Sequence, residues 1–425
     1  MVDTGDLKSP GLYRLCGFES HFLYYNFYRL PTFLTVAFRF NRATGLVRSA
    51  FRRTETRMKI LILNSIMFTP DGGVIPKVDS LKDTMMYNMC LGFRQLGHEV
   101  TLCAAEEYRP VKEEEYPFGI RFFRSAFTRL FPPTALPCSP ELKRFLKRNA
   151  AGYDVIISSE LFSFPSLYAA LIAPGKTVIW QELSVHPAKF HRLPSRFWYN
   201  FLARPLMRRP LVVARSGAAR DFVSQYHKNT SDEIVDHGIN ADRFVTCSEK
   251  TDSLAVVAQL IKRKNVDRII AAFAQFVRHP GGSNYILKIF GRGPLEQELK
   301  QQVRKAGIED RVTFFGFTPH SEMVEHLSRA KASLIATSRD LNVVSIPESI
   351  VCGTPVLTNT VPNSARTVAQ HNLGIVKDNW GLDELLEITG NNARYVANCV
   401  AYAPQLTSLH AAETLVNEFL SRQHQ

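Results

Sequence analysis

Three consecutive cations, Lys262, Arg263 and Lys264, follow the apolar run Leu254–Ala258, which has the length of a strand. A basic loop at the carboxyl end of a strand in an α/β sheet suits a phosphate. Helix starts marked by Pro294 and Pro347 add free backbone N–H groups and the positive ends of helix dipoles. Asp340 and Glu348 lie eight positions apart across a loop and the second of these helix starts. A carboxylate beside a phosphate repels it unless it faces something else. Sugar and ribose hydroxyls are natural partners, because an ionised carboxylate accepts strong hydrogen bonds from them. Gln259, Gly291, Gly293, Phe317 and Ser338 stand at the ends of the same strands and complete the candidate binding set. Taken singly, a basic loop is solvated and Asp340 caps a turn; the inference rests on convergence at one sheet edge.

These residues need a scaffold, and the second half of the chain supplies one. Apolar runs at Leu254–Ala258, Tyr285–Phe290, Val312–Phe315, Ala332–Ala336 and Pro355–Thr358 alternate with helical patterns, the first over Asn265–Val277 with Ile269, Ile270, Phe273 and Phe276 as its stripe. Such alternation predicts a parallel sheet with right-handed crossovers. Gly291-Arg-Gly293-Pro294 lacks the third glycine of a dinucleotide fingerprint, which argues against an NAD oxidoreductase.

The first half repeats the plan from Met58. Lys59–Leu63 reads as a strand, a loop with Gly72 and Gly73 follows, and a helix is predicted from about Asp79 to Gln95, capped by Asp79 or Ser80 and ended by Gly97. Val100–Cys103, Asp154–Ser158, Thr177–Trp180 and Leu211–Ala214 read as further strands. Paired glycines let the backbone approach a ligand, and a turn without a ligand accounts for them equally. His186, just past a strand end, reads either as a contact for sugar or phosphate or as a structural loop residue. From Lys189 to Leu211, Arg192, Arg196, Arg204, Arg208 and Arg209 interleave with Phe190, Phe197, Trp198, Tyr199, Phe201 and Leu206. This reads as a helix meeting anionic headgroups or as a core helix with snorkelling arginines.

At 425 residues the chain is long enough for two domains, and its formal net charge is +13. Such charge attracts polyanions; no zinc-finger spacing, aromatic RNA-binding motif or heptad-bearing basic region is present, so nucleic acid is not the expected partner. An anionic membrane surface and a diphosphate substrate account for the charge with fewer assumptions. The seven cysteines form no CxxC pair, which suits inert thiols in a reducing cytosol rather than a metal site.

Taken together, Asp340…Glu348 running into Glu348-Ser-Ile-Val-Cys-Gly353-Thr-Pro355-Val, Gly291-Arg-Gly-Pro-Leu-Glu296, Asp310-Arg-Val-Thr-Phe-Phe-Gly316 and Gly238-Ile-Asn240…Phe244 resemble the retaining GT-B glycosyltransferases of group 1, or family 4. The resemblance runs from about Met58 to the C-terminus and is strongest from Val256 to Pro355. It implies two Rossmann-like, doubly wound domains facing across a cleft. The expected division is 58–245 for the acceptor domain, 246–408 for the nucleotide-sugar donor domain, and a C-terminal helix in 409–425 packing back toward the first. It also implies that Glu348 binds the ribose, Asp340 orients the transferred sugar and Lys264 neutralises the departing diphosphate, while Gly72 and Gly73 line the cleft and His186 approaches the sugar. Two departures stand out: Asp340 where the family usually has Glu, and Gln259 where it usually has Arg, with Arg263 or Lys262 as possible compensation. The implied reaction is transfer of a sugar from a nucleoside diphosphate to a hydroxyl of a glycan or lipid-linked acceptor, in surface polysaccharide assembly at the inner face of the cytoplasmic membrane. With no Asp-rich run beside the phosphate loop, neither metal nor other cofactor is expected. A nucleotide-sugar epimerase of the same fold and a catalytically weak nucleotide-sugar-binding protein are the competing readings.

Residues 1–57 read differently. The apolar stretch His21–Phe40 is interrupted by Arg29 and Pro31, and no signal-peptide cleavage site follows. Gly17-Phe-Glu-Ser20 back-translates naturally to GGGTTCGAATCC, within which GGTTCGAATCC resembles the T-arm of a transfer RNA gene. Met58 is therefore the expected start, against the alternative of a basic, membrane-touching extension. Mass spectrometry of the native N-terminus is expected to find Met58 first; peptides from Tyr24 to Arg48 would show the extension is translated.

Overall fold

The computed structural model describes residues 57–68, 74–82, 84–187, 192–340 and 343–423. Nearly all of the 1–57 segment lies outside these residues, as do Gly72, Gly73, Lys189 and Phe190.

Two parallel sheets organise the chain. In the first, β1 (Lys59–Leu63), β2 (Glu99–Ala105), β3 (Gly119–Phe123), β4 (Val155–Ser159), β5 (Thr177–Gln181), β6 (Leu211–Ala214) and β7 (Thr230–Ile234) lie in the order β3-β2-β1-β4-β5-β6-β7. In the second, β8 (Thr251–Val257), β9 (Ile286–Phe290), β10 (Val312–Gly316), β11 (Ala330–Leu334), β12 (Val356–Thr358) and β13 (Gly374–Val376) run β10-β9-β8-β11-β12-β13. Strand order reverses between β1 and β4 and between β8 and β11. At such switch points the crossover helices leave on opposite faces and open a crevice beyond the strands' carboxyl ends.

The central strands are apolar because both faces are covered. Ile60 and Ile62 pack with helix Met85–Gln95 and the C-terminal helix, whereas Leu61 and Leu63 pack with helices Pro140–Asn149 and Phe164–Ile172 on the other face. Each such side chain, fully buried, contributes about 1.5–3 kcal/mol. Leu254 and Val256 play the same part in the second sheet, beside Ile269, Ile270 and Phe273 of helix Val266–Phe276.

Several elements differ from the sequence expectation. The first helix begins at Met85 with Thr84 as its cap, Oγ1 accepting from the Tyr87 N–H at 3.2 Å, because Ser80 Oγ instead donates to Glu114 at 2.5 Å. Pro294 precedes helix Glu296–Ala306 by two residues rather than opening it: the Leu295 N–H donates to the Leu260 carbonyl, so the turn is spent on the neighbouring loop. Pro347 falls on the third residue of helix Ser345–Val351, not its first. Strands β3, β7 and β13 add to those the apolar runs predict; each closes or borders a sheet edge, and half-polar or three-residue strands carry little periodic signal. Leu193–Phe197 is α-helical and Trp198–Ala203 is wound as a π-helix before the short turn Arg204–Leu206, so this segment is not one regular helix.

Helix Ser408–Gln423 buries Ala411, Ala412, Leu415, Val416 and Phe419 in the first domain's core. Ile239 and the 406–408 segment pair through Ile239 N–H to Leu406 O and Ser408 N–H to Ile239 O, both 2.9 Å. Gly92 and Gly238 permit the close approach: a Cβ on either would collide with the backbone of Ser408 or Thr407. No helix among the described residues is long and apolar enough to cross a membrane. Gly92→Val is expected to push the C-terminal helix outward and destabilise the fold by about 1–3 kcal/mol, read as a lower thermal midpoint.

Candidate functional site

The second sheet's switch point is built from the loops after β8, β9, β10 and β11. Gly291 has φ +132° and Gly293 lies against the backbone of Leu260; a Cβ on either would overlap the loop after β8. Backbone bonds stitch the loops: Leu260 N–H to Arg292 O at 2.9 Å, Gly291 N–H to Gly316 O at 2.8 Å, and Ser338 N–H to Arg263 O at 2.8 Å. Asn265 Nδ2 donates to the Ala336 carbonyl at 2.6 Å, tying the loops after β8 and β11 once more.

Within this frame Asp340 is buried to 3% exposure and gathers the cations. Lys264 Nζ stands 2.7 Å from Asp340 Oδ2, and Arg263 Nη1 pairs with Oδ1. Thr337 Oγ1 donates to Oδ2 at 2.7 Å, while its own oxygen accepts the Asp340 N–H at 3.2 Å. Arg263, Lys264, Asp340 and Ser338 are therefore brought together. Gln259, Gly291 and Gly293 form the adjoining loop wall, and Phe317 is 47% exposed, with the Arg292 guanidinium 5.9 Å from its ring centre.

Glu348 is half-buried on helix Ser345–Val351. Burial pushes its carboxyl up to about 7, opposed by the positive charge of Arg243 in the interdomain linker. His186 is held elsewhere. Its Nδ1 lies 2.8 Å from Ser195 Oγ and its Nε2 2.9 Å from Tyr226 hydroxyl, with the Tyr199, Phe222 and Tyr226 rings packed around it. These partners belong to the first domain, and burial, with Arg196 and Arg192, depresses the imidazole pKa. Gly72 and Gly73 lie outside the described residues.

A second cluster, not singled out from the sequence, occupies the carboxyl ends of β4 to β7. Glu160 follows β4 with φ +66°, a strained conformation for a residue with a Cβ, and accepts the N–H groups of Glu182 at 2.8 Å and Leu183 at 3.1 Å. Arg215, buried after β6, reaches Glu182 at 2.6 Å and His237 Nδ1 at 2.7 Å, over the Trp180 ring. Burial and the neighbouring charge of Glu182 push Glu160 up to about 7; Asp236 goes down to about 2 because His237 and Arg215 outweigh its burial. The signal available in the sequence was positional: each residue stands just past a strand end, but polar residues there are common.

Residues 239–387 match the family model described as Glycosyl transferases group 1, and residues 83–250 that of Glycosyltransferase Family 4. Alpha-monoglucosyldiacylglycerol synthase of Streptococcus pneumoniae is 24% identical over 169 residues, covering 36% of this chain and 37% of that one. The match thus spans little more than a third of that curated relative's length. The Anabaena protein HepE, solved in complex with UDP and glucose, superposes with a TM-score of 0.53 at 17% identity, over 86% of this chain and 100% of that one. Sucrose-phosphate synthase from Thermosynechococcus elongatus gives 0.54 at 16% identity, over 86% and 99%. The two doubly wound lobes are those of a GT-B protein, and the chain belongs to the group 1 glycosyltransferases.

Because Glu348 is pushed up to about 7 in the fold, its burial leaves stability intact below the ordinary glutamate range and erodes it as pH rises toward 7. Glu348→Gln removes that penalty. Its thermal midpoint, relative to the parent, is expected to be more favourable at pH 8 than at pH 5; a pH-independent difference would refute the shift.

Proposed function

We propose that the protein transfers a sugar from a nucleoside-diphosphate sugar to a hydroxyl of a glycan or lipid-linked acceptor, with anomeric configuration retained. The observation that carries this reading is the pairing of Lys264 and Arg263 with buried Asp340 at the second sheet's switch point. Two cations held in place by loops from two strands form a preorganised anion site, and developing charge on a leaving diphosphate is what such a site stabilises. HepE, similar in fold, was solved with UDP and glucose, which supports a nucleotide-sugar donor.

In the reading, Asp340 holds the cations until the donor arrives. The pyrophosphate then takes over Lys264 and Arg263, and the released carboxylate accepts hydrogen bonds from the transferred sugar's hydroxyls. Glu348, once ionised, accepts from the ribose hydroxyls. Phe317 and Arg292 offer an exposed ring and a planar cation at the rim, suited to a nucleobase. The acceptor enters from the other lobe, where Glu160, Glu182, Arg215, Asp236 and His237 stand at strand ends. His186, placed by Ser195 and Tyr226, acts within the first lobe. Lysine and arginine supply the positive charge in this scheme, so transfer proceeds without a metal. The setting is polysaccharide or lipid-linked glycan assembly at the inner face of the cytoplasmic membrane.

Thermal stabilisation by UDP-, GDP- and ADP-sugars identifies the donor, after which release of the nucleoside diphosphate measures turnover. Lys264→Ala is expected to lower turnover roughly ten- to a thousandfold with the fold retained, and EDTA to leave the parent rate unchanged. Unaltered kinetics in Lys264→Ala would overturn the assignment.

A further inference from the structure

The segment that follows β5 presents three distinct stripes. Ser195, Trp198, Tyr199 and Ala203 are buried and join the core. Arg192, Arg196, Asn200 and Arg204, four residues apart, form a second stripe turned toward Gln225 and Tyr226: Arg204 Nη2 donates to the Gln225 carbonyl at 2.9 Å, and its guanidinium lies 5.7 Å from the centre of the Tyr226 ring. Leu193, Phe197 and Phe201 form a third, 65%, 58% and 64% exposed, with the two phenylalanine rings stacked at 5.0 Å. Such aromatic exposure is unfavourable in water and calls for a partner.

Charge identifies the partner. No Asp or Glu occurs between Glu182 and Asp221, while exposed Arg192, Arg196, Arg204, Arg208 and Arg209 crowd the same span. Between the cationic stripe and the 222–226 segment lies a cavity of about 500 Å³ whose polar lining is His186, Arg192, Arg196, Asn200, Gln225 and Tyr226, with Val185 and Phe222 as its apolar lining. Its walls hold two guanidinium groups, amide and phenol groups, and no carboxylate. Both ring nitrogens of His186 are already engaged by Ser195 and Tyr226, and the two guanidinium groups carry the charge.

We infer that this face docks on an anionic lipid surface, with Leu193, Phe197 and Phe201 entering the acyl boundary and the Arg192–Arg196 cavity taking a headgroup phosphate. The arrangement meets both needs of interfacial binding at once: apolar stems for the hydrocarbon edge and guanidinium forks for phosphate oxygens. It deepens the membrane setting proposed above, yet it makes no use of donor or turnover, so the two stand or fall apart.

The test uses the full chain without donor, sedimented at about 0.15 M salt with vesicles of phosphatidylcholine alone or mixed with phosphatidylglycerol. Binding is expected only to the mixed vesicles. Arg192→Ser with Arg196→Ser should weaken it about tenfold or more, Arg192→Lys with Arg196→Lys should weaken it less than the serine pair, since charge is kept and the fork lost, and Phe197→Ser with Phe201→Ser should weaken it without changing the thermal midpoint, since both rings are exposed. Equal binding to both vesicle types, no sedimentation, or parent-like binding by the serine variants overturns the proposal. So does stabilisation by free glycerol phosphate with no vesicle binding, which would make the cavity a site for a soluble phosphate.

Discussion

A buried carboxylate facing two cations governs the second lobe. Asp340 is almost wholly removed from water, and leaving it ionised there demands compensation that only nearby donors provide. Lys264, Arg263 and Thr337 supply it, and each in turn is fixed because it serves Asp340. Removing Asp340 would leave Lys264 and Arg263 facing each other without the carboxylate they share, and that shared carboxylate ties the loop after β11 to the loop after β8. That arrangement sits at the reversal of strand order, where backbone leaves the sheet on both sides and a ligand gains access. The glycines of the loop after β9 let it lie directly on this frame.

The first lobe solves a similar problem with other residues. Arg215 is buried among Glu182, Asp236 and His237, and Glu160 is bent into a left-handed conformation to receive two N–H groups. Both lobes therefore place a compensated charge cluster at the carboxyl ends of their strands. In the second it is centred on an anion holding cations; in the first a cation is surrounded by carboxylates. The lobes are joined where Ile239 pairs with residues 406–408, so the linker and the return to the C-terminal helix run side by side.

Much of the scaffold was legible. Central strands announce themselves because a parallel sheet covered on both faces requires continuous apolar runs, as in Ile60–Leu63 and Leu254–Val257. Edge strands did not, since Thr230–Ile234 has to satisfy water as well as β6, and Gly374–Val376 is too short for a period. The helix-start signals at Asp79 and Pro294 precede the true starts, because capping residues compete and the winner depends on distant partners: Glu114 takes Ser80, and Leu260 takes the Leu295 amide.

Local sequence determined the alternation of strand and helix, the doubling of the Rossmann plan and the strand ends on which chemistry must fall, because periodicity and chain length are properties of short segments. Only the tertiary structure decided which side chains meet. Asp340 is 76 residues from Lys264 and touches it because β8 and β11 are neighbours across the switch point. His186 keeps company with Ser195 and Tyr226 for a like reason: helices returning over one face of the first sheet bring those residues to it. Pairing at a distance depends on how elements cross and pack, and that information is spread over the whole chain rather than written at the residues that meet.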